Sequence, residues 1–170
     1  MAPSPKPDSA LAPARIGAQL NRVLRWLIAT LHLLALPLGL GAVWARNRAL
    51  RGALSADGLR RVFVADNLWG VAAVLWIGTG LLRAFGGLEK GAGYYLHDPV
   101  FYAKMGLLAV ILLLEIRPMT TLIRWRIALG RGASIDTTPA LALARISEIQ
   151  AGLVVLIVFA ATALARGLFL

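Results

Sequence analysis

The chain contains no cysteine. That single absence removes disulfides, thiolate metal sites and cysteine nucleophiles. Histidine is nearly absent too, with His32 and His97 the two copies in 170 residues. No zinc-ligand spacing and no Ser-His-Asp set can be assembled from them. Glycine pairs of the form GxG occur at 39–41, 78–80 and 91–93, but in apolar runs or short loops, where they mean close packing or turns and not a phosphate cradle. Charge is sparse, at 15% of residues, and acidic charge sparser still, 8 Asp and Glu against 18 Lys and Arg.

Apolar residues are what the chain has in abundance. They make up 59% of it, with a mean hydropathy of +0.74. A soluble domain of this length could not bury that much apolar surface, so an integral membrane protein is expected. The net charge of +10 would suggest nucleic acid in a soluble protein. Here no basic stretch is interleaved with exposed aromatics, so no nucleic-acid partner is expected. The arginines instead flank apolar runs, where lipid head groups attract them.

Residues 1–20, "MAPSPKPDSALAPARIGAQL", are rich in Pro, Ala and Ser without an apolar period and read as a disordered tail. The remainder, 21–170, reads as one domain with four spans, at about 23–45, 62–83, 100–123 and 142–166. The first, "WLIATLHLLALPLGLGAVWA", is too long for a signal-peptide core and is taken as an uncleaved span. Each run is close to the ~20 residues that cross ~30 Å of hydrocarbon. Helices satisfy every backbone group inside lipid. The expected fold is therefore all-α, an integral membrane antiparallel four-helix bundle. The basic residues are split ten to eight in favour of the 1–2 and 3–4 loops. The positive-inside rule then places those loops in the cytoplasm and both termini on the opposite, periplasmic side.

Ionisable groups inside spans are costly and gather in two layers. One holds Asp66, Glu115 and Glu148, with Arg124, Arg126 and Arg145 near the same boundary. These read as structural ion pairs, Arg145 sharing a helix face with Glu148, or else as a proton or cation path. The other layer is carried by "RAFGGLEKGAGYYLHDPVFYAK", 83–104. Trp69, Trp76 and Arg83 recur every seven residues on one stripe of span 2. Arg83, Lys104 and Arg166 reach one membrane level from three spans, and Lys90 can join from the loop. With Trp76, Tyr94 and Tyr95 they form a candidate receptor for an anion. The competing reading is snorkelling cations within an aromatic belt.

His32 is the one histidine inside a span, beside Pro37, Gly39 and Gly41. A neutral imidazole there is a candidate axial ligand for haem b, or a helix contact.

The series "ADNLWG…LWIGTGLLRAF…EKGAGYYLHDPVFYAKMG…LEIRPMTTLIRWR…ALARG" resembles a family of small bacterial four-span membrane proteins, domain-of-unknown-function family 2214, across about 24–168. That resemblance implies a bacterial inner-membrane protein and supplies no activity. The chain is also similar, more weakly, to the four-span haem-binding protoporphyrinogen oxidase family. This implies His32 as haem ligand and Arg83, Lys104 and Arg166 meeting propionates. The sequence departs from that family at Leu36 and in "PLGLGAVWARNR".

Three functions follow. The first is a bundle that binds an anionic, partly apolar ligand such as haem or a related tetrapyrrole, with a redox role. The second is a ligand-free structural or assembly partner, and the third a small transporter or permease subunit. A homodimer is compatible with each.

Overall fold

The computed structural model describes residues 8–87, 93, 97 and 99–166, with side chains described for 17, 19–87, 93, 97, 99–163 and 166. Four helices account for nearly all of this: α1 (Asp8–Arg51), α2 (Ala56–Phe85), α3 (Pro99–Gly130) and α4 (Ala140–Arg166). All four are long and apolar enough to cross a membrane. The protein is a multi-pass integral membrane protein built as a four-helix bundle.

The helices outrun the expected spans. α1 begins at Asp8, so it passes through much of the stretch read as a tail. Ala10, Leu11, Ala12 and Ala14 are strong helix formers, and helical propensity there outweighs the lack of an apolar face. α1 then continues past residue 45 to Arg51, and α2 starts already at Ala56. Ser55 caps α2, its hydroxyl accepting from the Gly58 N–H at 3.4 Å. Gly58 is required by space, because a Cβ there would sit 1.9 Å from the Ala53 carbonyl oxygen. α3 runs on to Gly130, and Gly132 supplies the left-handed turn (φ 69°) that follows it. The Asp136 carboxylate accepts from the Thr138 N–H at 2.9 Å just before α4. Hydrogen bonding by the Thr138 hydroxyl, and then by its N–H, holds the carboxyl below the usual range.

The end carrying the α1–α2 and α3–α4 connections is called here the lower end. Exposed Trp26 and Trp44 on α1 lie about 27 Å apart at ~1.5 Å per residue. That is the spacing of the two aromatic belts of a bilayer. Gly39 against Ala72, and His32 against Thr79, fix the α1–α2 register and put Trp44 level with residues near Asn67.

Packing is sequential. α2 lies on α1, α1 on α4 and α4 on α3. Two core clusters result. One lies near the lower end around Leu50, Val62, Leu122, Trp125 and Leu143. The other is at mid-membrane around Val43, Trp69, Ile111 and Ile157. Among the described residues α2 and α3 do not pack along their lengths. The bundle is therefore open on one side.

Candidate functional site

Arg46 closes the lower end of that opening. It is fully buried and donates all five of its N–H groups. Nε reaches Ser147 Oγ at 3.0 Å, and Nη1 reaches Asp66 Oδ1 at 2.9 Å and Glu115 Oε1 at 2.7 Å. Nη2 reaches Glu115 Oε2 and Gln150 Oε1, both at 2.8 Å. One guanidinium on α1 thus touches α2, α3 and α4. Such a buried charge persists only when every donor is matched, as here. The acceptors are themselves held. Gln150 donates to Glu115 Oε2 at 2.8 Å and to the Ile111 carbonyl at 3.2 Å, and Ser147 donates to the Leu143 carbonyl at 3.0 Å. Asn47, one residue on, donates to the Ala144 carbonyl at 2.7 Å.

Asp66 is shared. Its Oδ2 accepts from Arg126 Nη2 at 2.8 Å, and Arg126 also donates to the Phe63 carbonyl at 3.3 Å and lies over the Phe63 ring at 4.9 Å. This clasp joins α2 to α3 where the backbones do not meet. Arg51 pairs with Glu148 at the exposed rim. Arg124 and Arg145 are exposed, and no ion pair among the described residues includes them. Arg145 shares a helix with Glu148, but Arg51 from α1 is what binds that carboxylate.

Above the network lies a small, open cleft walled by α1, α2 and α3, with a cavity volume of about 50 Å³. Trp69, Ala73 and Trp76 form one wall, Leu36 and Gly39 the back, Leu108 and Leu112 the other wall, and Glu115 the floor. Its surface is almost wholly apolar apart from that carboxylate. The Trp76 indole N–H is buried without an acceptor among the described residues. Lys104, half-buried, is one helical turn above Leu108 on the same face of α3. Arg83, also half-buried, is two turns above Trp76 on α2. Arg166 is exposed at the end of α4. Lys90, Tyr94 and Tyr95 lie outside the described residues.

His32 does not line this cleft. It is buried in the α1–α2 seam, its Nδ1 2.9 Å from Thr79 Oγ1. The Thr79 hydroxyl donates to the Leu75 carbonyl. The Trp76 ring lies 6.0 Å away, tilted by 32°, and Gly80 makes room for the imidazole, since a Cβ there would come within 3.2 Å of Cε1. The seam packs the imidazole between two helices. No group of three His, Asp or Glu side chains among the described residues is placed to hold a metal ion.

Sequence reasoning passed over Arg46, Ser147, Gln150 and Thr79. In sequence Arg46 reads as one of the ten loop-side cations, because it directly follows the first apolar run. The signal available was its register: Gly39, Ala42, Val43, Arg46 and Leu50 continue one buried stripe of α1.

Compared with known protein families, residues 24–168 match the model described as a predicted membrane protein, DUF2214. No curated protein and no solved structure matches the chain.

Proposed function

The chain belongs to the DUF2214 family of predicted membrane proteins, and from that premise we propose that it binds an anionic, partly apolar molecule that enters sideways from the bilayer between α2 and α3. The observation that carries this reading is the apolar, tryptophan-walled cleft with Lys104 one turn above its rim. The apolar body of the ligand lies against Trp69 and Trp76. Its anionic group meets Lys104 and Arg83, with Arg166 completing the receptor from the same end. Positive charge at the 1–2 and 3–4 loops supports a bacterial inner-membrane orientation with that receptor on the periplasmic side, together with both termini.

A haem is a poorer occupant than a metal-free amphiphile. Binding iron requires His32 to leave a seam that Thr79, Trp76 and Gly80 shape around it. No reaction step is assigned through a haem. The purified protein should show no Soret band, and a band lost in H32A would restore the haem reading. The apolar middle of α3 also speaks against a transport path along that helix, since "MGLLAVILLL" offers no relay between Lys104 and Glu115.

The experiment is native mass spectrometry from detergent with palmitate and with its methyl ester. Palmitate adducts are expected, ester adducts are not, and K104A and R83A should each weaken palmitate binding several-fold. Equal retention of acid and ester, unchanged in both variants, would remove the anion receptor.

A further inference from the structure

The α2–α3 opening has a second charged end, below the Arg46 network. The bonds of Arg126 to Asp66 and Phe63 both run through Nη2. Its Nε is buried with no partner among the described residues, and its side chain is 35% exposed. Arg60 is exposed one turn before Phe63. The α2 face that carries Phe63 and Asp66 to Arg126 therefore also presents Arg60 at the same groove. Above Arg126 on α3, Ile123 and Met119 are exposed at positions three and seven residues earlier, on one helix face. In the α1–α2 register this end lies just below the Trp44 belt, where lipid phosphates sit.

We infer that the lower end of the α2–α3 groove is a binding site for one anionic phospholipid, its phosphate between Arg60 and Arg126 and an acyl chain along Ile123 and Met119. Charge complementarity commits the site to a lipid: the exposed Arg60 and the partly exposed Arg126 guanidinium stand at head-group level, directly below an apolar wall that faces the bilayer. The Arg126–Asp66 clasp is the tie between α2 and α3, so a phosphate that shares Arg126 sits at the joint of the open side of the bundle. This inference uses residues at the opposite end from Lys104 and Arg83 and survives if palmitate fails to bind there.

The test is native mass spectrometry of the full chain with phosphatidylglycerol, phosphatidylcholine and inorganic phosphate, each also read as a thermal shift. Retention of phosphatidylglycerol over phosphatidylcholine is expected, with no effect of inorganic phosphate. R60Q should weaken phosphatidylglycerol retention roughly fivefold, R60K much less, and R126Q at least as much as R60Q. R145Q removes an exposed arginine of α4 at the same end and should leave retention unchanged. Equal losses in R145Q and R60Q would reduce the effect to general attraction of a basic surface and overturn the site. Stabilisation by inorganic phosphate equal to that by the lipid would overturn the lipid assignment, and retention unchanged in R60Q would overturn the proposal as a whole.

Discussion

Arg46 and Glu115 meet end to end, Nη1 to Oε1 at 2.7 Å and Nη2 to Oε2 at 2.8 Å, with the guanidinium wholly buried. Because α1 and α3 are not among the closely packed helix pairs of the described residues, this pair ties α3 to α1 at the base of the open side. Removing one partner of a buried pair leaves the other uncompensated. R46M should therefore lose about 3–5 kcal/mol of stability, measured by denaturant unfolding in detergent. R46K should rescue only part of that, since an ammonium offers three donors to five placed acceptors.

The Arg126–Asp66 clasp should be weaker, because Arg126 is partly exposed and solvent screens the pair. A double-mutant cycle of R126Q and D66N is expected to give a coupling of about 1 kcal/mol. The corresponding cycle of R46M and D66N should be larger. Equal couplings would mean that burial does not set the strength of these pairs.

His32 and Gly80 can be tested as a packing pair. A Cβ on Gly80 would reach 3.2 Å from the imidazole, so G80A should destabilise by about 1 kcal/mol, at the low end of overpacking costs. In an H32A background the same change should be close to neutral. Thermal unfolding of the four proteins measures both effects.

The turn between α1 and α2 depends on Gly58, whose absent Cβ would fall on the Ala53 carbonyl oxygen. Backbone cannot yield as a flexible side chain can. G58A should cost about 1–3 kcal/mol and fray the first turn of α2, seen as faster amide exchange at Leu59 and nearby residues.

The fold was largely legible because hydropathy alone dictates it: four apolar runs of sufficient length must be helices in lipid. The ends of those helices were less so. Leu50, Leu59 and Trp125 are buried beyond the expected span limits, since helix packing continues into the head-group layer where hydropathy falls. Asp66, Glu115 and Arg126 stood out as charges in apolar surroundings. Arg46 did not, although it binds all three partner helices, because a cation at the end of a span looks the same in sequence whether it snorkels outward or turns inward. Glu148 shows the converse, with its partner coming from another helix, Arg51, and not from the nearby Arg145. Tertiary register decides such pairings, and one sequence does not encode it locally. The cleft was invisible for the same reason: it exists because α2 and α3 do not pack along their lengths among the described residues, not because any residue announces it. The Trp69–Trp76–Arg83 stripe was the nearest hint.

The most direct measurement places an amphiphile in the cleft. In a variant that keeps Trp76 as its single tryptophan, with phenylalanine at Trp26, Trp44, Trp69 and Trp125, fluorescence is titrated with brominated stearate and with its methyl ester. Stronger quenching by the acid, lost in K104A, is the result expected if the anion is held above Leu108 and the chain lies on Trp76. Equal quenching by acid and ester, unchanged in K104A, would contradict it and leave the cleft an ordinary lipid-facing groove.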